Sequence, residues 1–72
     1  MIDELANRLR EAREARGWTQ AELAARMGVS RKTVNTVENG VFVPSTVVAL
    51  KAARVLERPV ESLFHLVDRD GQ

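Results

Sequence analysis

The chain has no cysteine, which excludes disulfides, thiolate zinc sites and thiol redox chemistry. It has a single histidine, His65, and one imidazole cannot hold a metal by itself. No apolar run approaches the roughly 20 residues that span a bilayer. Asp3 and Glu4 come early, with no apolar stretch behind them, so the N-terminus does not read as a signal peptide. There is no nucleophile–base pair, metal-ligand cluster or glycine-rich phosphate loop, which argues against an enzyme. No internal repeat or low-complexity segment appears either. The net charge is only +1, so bulk electrostatics does not mark a nucleic-acid binder. At 72 residues the chain is expected to form one small domain without cofactor, metal or small-molecule ligand, with the cytoplasm as its default location.

The informative stretch runs from Thr19 to Gly40, TQAELAARMGVSRKTVNTVENG. Two short amphipathic patterns, about 20–27 and 31–38, flank the break Met27-Gly28-Val29-Ser30. Gly28 suits a sharp exit at positive φ, and Ser30 can cap the second helix. Thr19 and Glu22 have the spacing of a capping box. Leu23, Ala24 and Met27 share one face of the first helix, and Val34 and Val37 share one face of the second. Val29 lies between them. The small Ala24 permits the steep crossing of a helix-turn-helix. The other face of the second helix holds Arg31, Lys32, Asn35 and Thr36, with no acid before Glu38. Residues 23–37 also carry Arg26 and no acid, whereas Asp3, Glu4, Asp68 and Asp70 lie near the termini.

Elsewhere, Ile2, Leu5, Leu9 and Ala12 recur at spacings of three and four and predict a first helix over about 2–16, ended by Gly17. Its opposite face, with Arg8, Glu11 and Glu14, reads as solvated surface. Trp18 reads as an apolar plug between the first two helices. Pro44 and Ser45 open a fourth helix over about 46–56. Its stripe Ala49, Ala52, Ala53 and Leu56 meets the core, and Val48, Leu50 and Val55 are surplus apolar surface. Arg58-Pro59 ends that helix, and a short fifth follows over about 60–64 with Val60, Leu63 and Phe64 inward. His65-Leu66-Val67-Asp68 is compatible with a brief extended segment, and the remainder to Gln72 should fray. His65 reads as a polar residue at a helix end.

The runs Gln20-Ala-Glu-Leu-Ala, Gly28-Val-Ser and Val37-Glu-Asn-Gly40 resemble the Xre family of helix-turn-helix transcriptional regulators, which includes lambda-type repressors and Cro proteins. Trp18-Thr19-Gln20, Pro44-Ser45 and Val-Glu-Ser-Leu-Phe ending at Phe64 extend the resemblance to its short single-domain members, over roughly residues 3–64. It implies an all-α, five-helix lambda-repressor-like domain that binds double-stranded DNA as a homodimeric repressor on a palindromic operator. Base contacts would come from Arg31, Lys32, Asn35 and Thr36, and phosphate contacts from Thr19, Gln20, Asn39 and Ser45. It also implies an ion pair between Arg13 and Glu38 that braces the recognition helix. Surplus apolar residues Val48, Leu50, Val55 and Leu66 are the expected dimer interface. An antitoxin or adaptor, with the helix-four surface holding a different protein, is the alternative reading. Two departures from the family stand out. Val41 replaces a frequent cation after Glu-Asn-Gly, and Glu57 sits where a helix-ending glycine is common.

Overall fold

The computed structural model describes residues 3–68 and contains five helices and a two-stranded antiparallel sheet. The order is β1 (Asp3–Asn7), α1 (Leu9–Ala15), α2 (Gln20–Met27), α3 (Arg31–Glu38), α4 (Thr46–Leu56), α5 (Val60–Leu63) and β2 (Phe64–Asp68). From residue 20 onward the helices follow the sequence expectation closely. The all-α expectation needs correction, because the predicted first helix over 2–16 is a strand followed by a shorter helix. The position expected of Ile2 and the tail 69–72 lie outside the described residues.

The strand forms because β1 has a partner: Leu5 lies opposite Leu66, Ala6 opposite His65 and Asn7 opposite Phe64. The extended segment expected at 65–68 is that partner, and it starts one residue earlier, so Phe64 belongs to β2 rather than to α5. Asn7 marks the change from strand to helix. Its Oδ1 accepts from the Leu9 amide at 3.1 Å and its Nδ2 donates to the Val37 carbonyl at 3.0 Å, which ties the start of α1 to the end of α3. Leu5 therefore leaves the core it was assigned to and stays partly exposed on the ribbon.

The core is built by the five helices and the first residue of β2. Leu9 and Ala12 of α1, Leu23, Ala24 and Met27 of α2, Val34 and Val37 of α3, Ala52 and Leu56 of α4, Leu63 of α5 and Phe64 are buried together. Trp18 packs at its edge, as expected of a plug. Its ring also carries the Arg26 guanidinium 4.2 Å from the centroid, with Arg16 at 5.4 Å on the same ring. α4 turns Ala52 and Leu56 fully inward, which brings Val48 and Val55 partly into the same core and leaves Val47 and Leu50 facing solvent.

The starts of α2, α3 and α4 are capped as their sequences dictate. Thr19 and Glu22 form the reciprocal capping box, Ser30 caps α3 through the Thr33 amide at 3.1 Å, and Ser45 caps α4 through the Val48 amide at 3.1 Å. Gly28 ends α2 at φ 74°. Glu57 ends α4 in the same left-handed region, at φ 56° and ψ 46°, where the family pattern has glycine. Arg16 supports that end by donating to the Leu56 carbonyl at 2.6 Å, a cation at a helix C-terminus. A left-handed non-glycine residue costs about 1–2 kcal/mol, and glycine returns about 0.5–1 kcal/mol of that through its freer unfolded chain. Glu57→Gly is therefore expected to stabilise the domain by about 0.5–1 kcal/mol. Chemical denaturation should show a higher midpoint with an unchanged slope.

Candidate nucleic-acid interface

α2 and α3 are packed through Leu23, Ala24, Met27, Val34 and Val37, and the Gly28 turn fixes their relation. α3 turns its valines inward, so Arg31 and Lys32 in its first turn project into solvent. Among the described residues neither side chain has an ion-pair or hydrogen-bond partner, and no acid stands in that turn. The first turn thus offers two free cations on a helix held rigid from behind.

What holds it is a buried carboxylate. The Glu38 side chain is 0% exposed, and that of Arg13 is 11%. Arg13 Nε donates to Glu38 Oε2 at 2.6 Å and its Nη2 to Oε1 at 3.2 Å, a bidentate grip, while Nη1 donates to the Trp18 carbonyl at 2.8 Å. The expected Arg13–Glu38 pair is formed. Two further donors reach the same carboxylate: Gln20 Nε2 at 3.1 Å and the half-exposed Arg10 Nε at 3.5 Å. Burial alone would raise the Glu38 pKa, but the hydrogen bonds from Arg13 and Gln20, the Arg13 charge and the Arg10 hydrogen bond outweigh it and hold the carboxyl below its ordinary value. Arg10 was not singled out from sequence. It precedes Arg13 by three residues on the same helical face, and that spacing is the signal that could have found it.

The network redistributes several expected roles. Gln20, assigned to phosphate, spends both ends of its amide inside the fold: Nε2 on Glu38, and Oε1 accepting from Asn35 Nδ2 at 3.3 Å. Asn35, assigned to a base, is thereby tethered to α2 while its Oδ1 has no partner among the described residues. Asn39 Oδ1 accepts from Arg10 Nη2 at 3.0 Å. Thr36 turns its hydroxyl back to the carbonyls of Lys32 at 2.9 Å and Thr33 at 3.1 Å, so that its oxygen is committed to its own helix.

The N-terminus of α2 is also less open than expected. The Thr19 amide donates to Glu22 Oε1 at 2.8 Å and the Glu22 amide donates to Thr19 Oγ1 at 3.1 Å, and among the described residues the amides of Gln20 and Ala21 in the first turn have no partner. Bonding to Thr19 lowers the Glu22 pKa, the Thr19 amide contributing most and the Thr19 hydroxyl second. At α4 the Ser45 hydroxyl is taken by the Val48 amide. Of the candidate interface residues, Leu50 and Leu66 are exposed, whereas Val48 and Val55 are partly buried against the protomer's own core. Exposed apolar surface continues through Val41, Phe42 and Val43, the last 78% exposed, and Val47. Among the described residues no group of His, Asp and Glu has metal-site geometry, and no helix is long and apolar enough to cross a membrane.

A helix-turn-helix family model matches residues 9–63. An uncharacterized HTH-type transcriptional regulator of Methanothermobacter thermautotrophicus is 44% identical over 64 residues, which cover 88% of this chain and 91% of that protein. The uncharacterized HTH-type transcriptional regulator YgzD of Bacillus subtilis is 33% identical over 66 residues, covering 92% of this chain and 100% of that one. Among solved structures, the restriction-modification controller protein C.AhdI from Aeromonas hydrophila superposes with a TM-score of 0.73 at 40% identity, over 76% of this chain and 83% of its own.

Proposed function

Because the chain belongs to the Xre-type helix-turn-helix family of transcriptional regulators, we propose that it regulates transcription by binding double-stranded DNA sequence-specifically, as a homodimeric repressor of a palindromic operator. The observation that carries this reading is α3 itself: capped at Ser30, clamped from behind through Glu38, and presenting Arg31 and Lys32 without partners. The major groove, about 12 Å wide, admits one such helix, and a free arginine there can grip guanine O6 and N7 together. Lys32 adds charge for guanine or phosphate. The Gln20 and Ala21 amides at the start of α2 suit a phosphate oxygen, and the first-turn amides of Thr46 and Val47, without partners among the described residues, suit another. Asn39, held by Arg10, borders the same surface.

A single reading helix covers too few base pairs to be selective, whereas a two-fold dimer reads half-sites about 34 Å apart. The exposed apolar residues open to self-association include Val47 and Leu50 of α4 with Leu5 and Leu66 of the ribbon, beside Val41, Phe42 and Val43, while Val48 and Val55 support α4 from within. The alternative, an antitoxin or adaptor holding a different protein on Val47 and Leu50, draws on the same exposed residues. Selection of bound duplexes from a random pool, paired with light scattering, decides. The expected outcome is a palindrome bound by a dimer, with Leu50→Lys shifting the protein to monomer and weakening the full site far more than the half-site. A monomeric wild type would favour the adaptor, and failure to enrich any site would overturn DNA reading altogether.

A further inference from the structure

Glu38, Gln20 and Asn35 form a chain of hydrogen bonds whose direction is dictated at one end. An ionised carboxylate only accepts. Gln20 must therefore turn its NH2 toward Glu38, where Nε2 lies 3.1 Å from Oε1. That leaves Gln20 Oε1, an acceptor, facing Asn35. Asn35 must in turn present its NH2, and its Nδ2 lies 3.3 Å from Gln20 Oε1. The orientation of the Asn35 amide is thus set two side chains away, by a carboxylate that the Arg13 guanidinium keeps charged. What Asn35 has left is the Oδ1 acceptor and one N–H, in a fixed arrangement.

We propose that Gln20 is a positioning residue that fixes the amide orientation of Asn35 and so determines which base Asn35 selects. The inference rests on the DNA-reading function proposed above. One acceptor beside one donor is the pattern that pairs with adenine, whose N6 donates and whose N7 accepts. A freely rotating amide could present the opposite order and would discriminate less. Gln20 acts here through Asn35 rather than by touching the base, which also explains why an amide at the first position of α2 is directed inward.

Two experiments test it, one without DNA. In the free protein, Asn35→Asp sets a carboxylate against Gln20 Oε1, and Glu38 prevents Gln20 from turning round. Asn35→Asp should therefore melt below Asn35→Ala by more than the poorer helix propensity of aspartate accounts for, and the difference should shrink in a Gln20→Ala background. A difference between the Asn35→Asp and Asn35→Ala proteins that is the same with and without Gln20 would show that Gln20 flips freely and would overturn the proposal. With DNA, sites are selected from random duplexes by wild type, Asn35→Ala and Gln20→Ala. Asn35→Ala should relax one base step per half-site, and Gln20→Ala should relax that same step roughly fivefold or more, leaving the other steps intact. Uniform weakening with all preferences kept would overturn the proposal and make Gln20 a phosphate anchor. If wild type enriches no site while the free-protein pattern holds, the function fails and the fixed amide survives without its role.

Discussion

Replacing Arg13 with methionine is expected to destabilise the domain by about 3 kcal/mol, because it strands a carboxylate whose side chain has no exposed surface. Methionine keeps much of the apolar stem, so the loss falls on the charge and its donors. The Glu38 side chain is 0% exposed, and Arg13 supplies the bonds at 2.6 and 3.2 Å. Gln20 and the half-exposed Arg10 remain, which keeps the effect at the lower end for a broken buried pair. A domain of this size is marginal to begin with, so the melting temperature should fall by more than about 10 °C.

The pH dependence carries the sign. In the wild type the folded Glu38 pKa lies below its unfolded value, so its stabilisation is present above about pH 4.3 and is lost as pH falls through the folded pKa. In Arg13→Met the burial effect is opposed only by the Gln20 and Arg10 hydrogen bonds, and the pKa should rise toward or above the unfolded value. That variant is spared the wild type's loss as acid protonates Glu38, so the gap to wild type should be largest near neutral pH and narrow below about pH 5. Melts of both proteins from about pH 4 to 8 check this. A constant gap across the range would mean the loss is one of packing. The double variant Arg13→Met with Glu38→Leu should recover most of the stability, since removing both charges removes the stranded one.

The second large effect is on affinity. Arg31→Ala is expected to cost about 1–3 kcal/mol at one base position. On a two-fold operator the same arginine acts in both half-sites, so the full site should lose about twice that. Folding should barely change, because Arg31 is exposed, has no partner among the described residues and gives way to the residue best suited to a helix. Binding isotherms on the selected site and on single-base variants distinguish the two roles open to it. A guanine contact predicts that the variant loses preference at one step per half-site. A phosphate contact predicts equal weakening on every sequence, with the logarithmic salt slope reduced by about 1 per arginine. The latter result would move base reading to Lys32 and Asn35.

The parts legible in the sequence were those with local causes. The Thr19–Glu22 box, the Gly28 exit and the Ser30 and Ser45 caps each lie within a few residues of what they satisfy, and all are present. The core faces of α2 and α3 follow from periodicity alone. The strand at 3–7 was not legible, because Ile2, Leu5, Leu9 and Ala12 fit a helix and the competing partner lies near the other end of the chain. Asn7 was the one local sign, a residue that favours helix starts over helix interiors. The Arg13–Glu38 pair came from resemblance, since two charges 25 residues apart carry no spacing signal. Gln20 was assigned outward because it starts a helix and Asn35 because it lies on the polar face of α3, and only their mutual distance shows that their side chains are bonded to each other.

The β1–β2 ribbon has a consequence for the order in which the chain folds. Its rungs join residues at opposite ends, Glu4 with Val67 and Leu5 with Leu66, whereas the helices and their caps close within a few residues. Loop-closure entropy weighs on the ribbon until the helices have brought its strands together, and two strands alone are marginal. The helical body is therefore expected to form first, with the ribbon closing as a late latch. Changes in the latch should govern how fast the native state opens, leaving the rate at which the reading head forms nearly untouched.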